Sequence, residues 1–180
     1  MPEPRTIDDG APYVFGRDFH LGEAYELPPA PDGTYSCVSI YRTFVPGNPA
    51  PQGSKRYVGN GVSIESSKKV KPWRADIREH FLACYDQPPM TGAVAVRLDF
   101  VMPRPASTPK RSTPPAIKRP DIDKLARAVL DAIGSAGAWT DDARVVDLHA
   151  CKRLAEIGET PGVHIEVADL TPPVETATEA

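Results

Sequence analysis

The sequence predicts an α+β domain in which a small mixed β-sheet carries two main helices packed on one face. Three observations support that class. Short runs of alternating apolar and polar residues, rich in β-formers, recur along the chain and mark strands. Two longer segments repeat their apolar residues at helical spacing. These segments follow one another in the order β–α–β–α–β–β, with Pro- and Gly-rich stretches between them. A chain of 180 residues, 41% hydrophobic and 25% charged, has the material for one such domain with a real core.

The elements follow in order. Ser36 to Phe44, SCVSIYRTF, alternates and reads as a strand. The Pro and Gly of VPGNPAPQGSKRYV break it, and Lys55 and Arg56 charge the resulting loop. Residues 72–85 read as a helix, with Pro72 in the first turn and Trp73, Ile77, Phe81 and Cys84 as its apolar stripe. Residues 93–102, AVAVRLDFVM, form a strand with Val94, Val96, Leu98 and Phe100 on one face. Residues 103–120 hold six prolines and five basic side chains, so neither helix nor strand survives there. A helix over 122–133 places Ile122, Leu125, Ala126, Val129, Leu130 and Ile133 at helical spacing, and Gly134 and Gly137 stop it. After WTDD comes a strand at 143–153, a turn at GETPG, and a last strand, VHIEV, at 163–167. Residues 35–168 form the domain. Residues 1–34, acidic and rich in Pro and Gly, are expected to be an extension with little regular structure, and 169–180 a disordered tail.

Charge is unevenly spread. Residues 1–34 carry two basic and seven acidic side chains, whereas 35–168 carry 19 Lys+Arg against 14 Asp+Glu. A mildly basic body between acidic ends is compatible with a polyanionic partner. Cys37, Cys84 and Cys151 are far apart and odd in number, which favours free thiols in a reducing compartment over a disulfide framework. No Cys/His spacing suits zinc. The start, MPEPRTIDDG, has no features of a signal peptide, and no apolar run could span a membrane. The expected location is the cytoplasm.

The chemistry concentrates in residues 118–146, KRPDIDKLARAVLDAIGSAGAWTDDARVV, with its five aspartates. Asp121 follows Pro120 and suits an N-cap; Asp123 lies in the first turn, where the helix dipole favours a carboxylate. Asp141 and Asp142 form a second acidic pair before the next strand. Asp131, two turns on, reads as a solvated or capping residue. Two readings remain open at this point. The acidic pairs are caps and turns, or they hold a hard dication such as Mg²⁺, which takes carboxylate oxygens and keeps several waters. Lys124 and Arg127 on the same helix, with Arg104, Lys110, Arg111, Lys118 and Arg119 just before it, would then hold phosphates nearby. The helix spans roughly 18 Å. The segment from Gly134 to Asp142 reaches roughly 26 Å when extended. WTDD can therefore return to the helix start within one chain, and a site completed across a dimer is the other arrangement.

RPDIDKL at 119–125, LDAI at 130–133 and WTDDARVVDLHACK at 139–152 resemble the RusA-type Holliday junction resolvases, crossover junction endodeoxyribonucleases common in phages and prophages. The strand followed by VPGNPAPQGSKR at 45–56 resembles the opening of many phage members. The resemblance covers about residues 35–168. It implies a homodimeric, Mg²⁺-dependent endonuclease, with Mn²⁺ as a substitute, that cuts four-way or otherwise branched DNA by paired incisions in recombination and repair. By position, Asp121, Asp123 and Asp142 would be the metal-binding carboxylates, with Asp141 the weaker candidate beside them. The family's lysine four residues after the second helix aspartate is Arg127 here. Arginine clamps a phosphate but, with a pKa above about 12, is a poor proton donor; Lys124 is one turn away. Lys55, Arg56, Arg104, Lys110, Arg111, Lys118, Arg119 and Lys124 are the expected DNA contacts. Trp139 is expected to pack under the acidic loop and His149 to be structural. Two alternatives stand beside this reading: a non-catalytic junction-binding protein, and a nuclease of branched or flap DNA in general.

Overall fold

A computed structural model describes residues 39–53 and 69–170, together with the backbone of four short strand segments outside those ranges. The main sheet has four strands: β1 (Ser39–Pro46), β2 (Val94–Met102), β3 (Val145–Leu154) and β4 (Gly162–Asp169). Two helices, α1 (Val70–Leu82) and α2 (Ile122–Ser135), complete the domain. The spatial order is β1-β4-β2-β3. β4 runs antiparallel to both β1 and β2, while β2 and β3 are parallel. The sheet is therefore mixed, as expected. A parallel neighbour requires a long crossover, and the segment from 103 to 144, containing α2, supplies it.

Both helices pack on one face of the sheet around a single core. Val70, Trp73, Ile77 and Phe81 of α1 and Leu125, Val129, Ala132 and Ile133 of α2 bury against Val96, Leu98, Phe100 and Ile165. α1 begins at Val70, so Pro72 sits within the first turn, where its missing N–H leaves no bond unmade. It ends at Leu82 rather than 85. Beyond it the Cys84 thiol donates to the Phe81 carbonyl at 3.2 Å and the Tyr85 hydroxyl to the Pro88 carbonyl. Gly47, at φ 140°, follows β1 and lies so close to the Trp73 ring that a Cβ there would clash.

Three expectations need correction. Lys55 and Arg56 were expected in a loop, but Lys55–Tyr57 is a short strand paired antiparallel with Ser63–Glu65. Two β-prone runs around Gly-Asn-Gly carry that hairpin signal in the sequence. β2 does not simply alternate: every one of its residues is buried, including Arg97 and Asp99. A central strand is covered on both faces, so its polar residues need buried partners. Asp99 has them in Arg153 and Cys151. Asp131 is neither solvated nor a cap. It pairs with Arg74 at 3.4 Å and ties α2 to α1. The reading of 1–34 as irregular falls almost wholly outside the described residues; Val14–Phe15 pairs there with Tyr25–Glu26. The 171–180 segment also lies outside them.

Candidate active site

The first turn of α2 is built from the end of the Pro-rich loop. Asp121 occupies the N-cap position with extended backbone (φ −72°, ψ 140°), yet its carboxylate caps nothing. Its Oδ2 lies 3.1 Å from Lys124 Nζ instead. The cation one turn along outcompetes the backbone N–H groups for this exposed side chain. Lys124 also holds the Asp121 carboxyl below the usual range, with Arg119 and Lys152 contributing. Asp123 is exposed in the same turn, beside the positive end of the helix dipole. Arg127, one turn beyond, is exposed and makes no ion pair among the described residues.

Lys152 anchors this turn from the sheet. Its ammonium donates to the Pro120 carbonyl at 2.7 Å and the Lys118 carbonyl at 3.0 Å. Sequence reasoning passed over it, although a signal was present. Lys152 lies opposite Phe100 in register, a lysine on the apolar, helix-facing side of β3 between Ala150 and Leu154. Its stem runs along apolar surface and its head reaches the loop.

The second acidic pair is held differently. Trp139 is 3% exposed, and Met90 N–H bonds the Ala138 carbonyl beside it at 2.7 Å. The Trp139 indole donates to Asp142 Oδ1 at 2.9 Å, so the tryptophan packs under the acidic loop and orients a carboxylate as well. Asp141 accepts from Ala143 N–H at 2.7 Å and caps the 3-10 turn Asp142–Arg144. That gives Asp141 a local structural task. Gly134 makes room for the arrangement: a methyl there would sit 3.2 Å from both Asp142 Oδ1 and the Trp139 indole nitrogen.

The two acidic pairs do not meet. Asp142 lies against Gly134, at the C-terminal end of α2, whereas Asp121 and Asp123 are at its N-terminal end. At 1.5 Å per residue the helix separates them by about 20 Å. The crossover topology dictates this: β3 runs parallel to β2, so its first residues lie under the end of α2, not under its start. The reach of the extended segment allowed closure within the chain, but the fold uses that length differently. Among the described residues, no group of three His, Cys, Asp or Glu side chains could hold a metal ion.

The basic residues also divide. Arg104 is half-buried and organises the loop: its Nη atoms donate to Thr113 Oγ1 and to the Pro109, Ser112 and Ala155 carbonyls. Those four bonds fasten the Pro-rich loop to itself and to the end of β3. Lys110, Arg111, Lys118, Arg119 and Lys124 are exposed, and Lys118, Arg119 and Lys124 line one cleft together with Asp121. The side chains of Lys55 and Arg56 lie outside the described residues. His149 is half-buried in β3.

The family model described as Endodeoxyribonuclease RusA matches residues 46–168, well over half the chain. The chain belongs to the RusA endodeoxyribonuclease family. The match spans β2, β3, both helices, both acidic pairs and all of β4 but its last residue, and it begins at Pro46, where β1 ends. A RusA-family assignment makes DNA the substrate and phosphodiester cleavage the reaction class. It also gives the exposed Asp121–Asp123 pair, flanked by cations, a chemical context that capping geometry does not. A search of curated proteins found no match. Among the described residues no helix is long and apolar enough to cross a membrane.

Proposed function

We propose that this protein is a divalent-cation-dependent endonuclease that resolves four-way DNA junctions by paired incisions, acting as a homodimer in recombination and repair. The observation that carries the proposal is the exposed pair Asp121 and Asp123 at the start of α2, set among Lys118, Arg119, Lys124 and Arg127. Mg²⁺ commonly binds one or two carboxylates plus substrate phosphates and waters, so this pair could hold an ion with the DNA, and Asp142 would add a further carboxylate. Mn²⁺ fits the same oxygen donors. When bound, such an ion supplies Lewis acidity and an activated water. The chain's own residues do the rest. Asp121 and Asp123 would hold the ion. Arg127 and Lys124 neutralise the charge that develops on the phosphate, with Arg127 as clamp rather than proton donor. Lys118, Arg119, Lys110 and Arg111 grip the backbone on either side.

Asp142 enters from a second copy in this reading. β3 is an edge strand of the sheet, with Val146 61% and Leu148 44% exposed. Exposed edges of this kind favour pairing with another strand. Antiparallel pairing of two β3 edges about a two-fold axis sets residue 142 of one copy opposite the C-terminal end of β3 in the other. That is the end where Lys152 reaches the start of α2. An isologous dimer built this way carries two equivalent sites, matching the symmetry of a four-way junction.

The test is a nicking assay on a mobile four-way junction, with and without Mg²⁺, on wild type and Asp123→Asn. Cleavage by wild type only with Mg²⁺, and junction binding without cleavage by the variant, is the expected result. Full activity of Asp123→Asn, or activity in excess EDTA, overturns the mechanism. The separation of the acidic pairs within one chain favours one second reading, a non-catalytic junction-binding protein. It predicts a gel shift and no Mg²⁺-dependent nicking by wild type. Flap and fork substrates in the same assay separate junction selectivity from cleavage of branched DNA in general.

A further inference from the structure

A cleft of about 1020 Å³ opens beside Asp121. It lies between the segment after β1, the ends of β2 and β3, the Pro-rich loop and the first turn of α2. Its walls are mostly apolar, formed by prolines on both sides together with Met102, Ala116 and Leu154. Lys69, Lys118, Arg119 and Lys124 contribute cations, against the single carboxylate of Asp121. Apolar walls with a cationic border suit a ligand that is flat and apolar in one part and anionic in another. A nucleotide has that character. The volume is at the upper end of small-ligand sites, enough for one or two nucleotides and far too narrow for a duplex.

Two exposed side chains give the cleft a means of selection. Asn48 is an exposed lining residue, and its amide offers both donor and acceptor to a base edge. Ile117, also in the lining, is 87% exposed in the middle of a basic segment. An isolated aliphatic side chain in such a place has no core to serve, and aliphatic wedges are used to unstack base steps. The prolines beside it line the cleft with apolar surface, the kind of wall that suits an extruded base.

We propose that this cleft is a subsite for one unpaired nucleotide next to the scissile phosphate, with Ile117 keeping the base out of the stack and Asn48 reading its edge. The proposal rests on the nuclease reading for its position relative to the cut, since Asp121 lines both. It adds a source of sequence preference that backbone contacts cannot provide. Extrusion is cheapest where pairing is already broken, which favours the crossover nucleotides of a branched substrate.

The experiment uses the full chain and four-way junctions carrying 2-aminopurine at single positions within three nucleotides of the incision. Fluorescence is read without metal, and cleavage of the same junctions is read with Mg²⁺. Wild type is expected to brighten one position on binding. Ile117→Ser is expected to abolish the brightening at unchanged gel-shift affinity. Asn48→Ala is expected to reduce the preference among base identities at that position from about tenfold to under about twofold, the scale of one base contact. Both side chains are exposed, so neither change endangers folding. A junction that is bound and cut while every 2-aminopurine stays quenched overturns the subsite and leaves the nuclease reading standing. Brightening without Mg²⁺-dependent cleavage does the reverse. Brightening that survives Ile117→Ser, or a preference unchanged in Asn48→Ala, also overturns the assignment.

Discussion

Completion of the site by a second copy can be tested by distributing the aspartates between two linked subunits. Asp142 lies against Gly134, and the helix from Asp121 to Gly134 sets it about 20 Å from Asp121. Two carboxylates on one Mg²⁺ each contact it at about 2.1 Å, so their ligating oxygens stand no more than about 4 Å apart. No side-chain rotation spans that difference. In a tandem dimer with Asp123→Asn in one subunit and Asp142→Asn in the other, sites shared between subunits leave one intact and one doubly damaged. Such a dimer nicks one strand at about half the wild-type rate and loses paired incision, because two equivalent sites have become one. The reciprocal construction places both substitutions in one subunit beside a wild-type partner. It damages both shared sites and is inactive. Sites closed within each chain exchange these outcomes. The assay is nicking of a supercoiled cruciform, with gel shift confirming that both proteins bind. Activity only in the reciprocal protein would refute the shared site.

Other predictions follow from the same geometry. Lys152→Met removes two bonds from a charged donor to the carbonyls before α2; we expect nicking to fall about tenfold, with unfolding free energy reduced by about 1–3 kcal/mol in urea titration. An unchanged nicking rate would remove Lys152 from the positioning of this turn. Glu159 is pulled down to about 2, first by its bonds to Arg153, from an ordinary 4.5. Its depressed pKa stabilises the fold fully above pH 4.5, and that contribution is lost as pH falls from there through about 2. Solvent screening limits the pair to about 1 kcal/mol, so Glu159→Gln should be destabilised by that amount at pH 7 and the gap should close toward pH 2. Equilibrium unfolding across that range checks it, and a pH-independent gap would be the contrary result. Burial, and then Asp99, pushes the Cys151 thiol up to about 12. Native protein at pH 8 should therefore resist alkylation at Cys151 and react there once unfolded, as mapped by peptide mass spectrometry; rapid native labelling would contradict the burial.

What the sequence determined was local and periodic. The strands at β2 and β4 and the helix α2 were legible because alternation and helical spacing record which residues face the core. The acidic pairs and the basic Pro-rich loop stood out because each gathers like charges in a short stretch of chain. Sequence did not reveal that Asp121 pairs with Lys124 rather than capping, that Asp131 binds Arg74, or that Arg104 fastens its own loop. The first was within the i,i+3 spacing of one helix turn, where capping and pairing compete; the other two depend on which cation or carbonyl the fold brings within reach, and spacing along the chain does not encode that. Lys152 was missed for the same reason: its partners are 32 and 34 residues away in sequence. The decisive question was where WTDD returns. Contour length allowed it to reach either end of α2. The parallel pairing of β2 with β3 decided the matter by placing Asp142 under the helix C-terminus. Residue types thus fixed which side chains could do the chemistry, while strand direction, a long-range property of the sheet, decided which of them can meet within one chain.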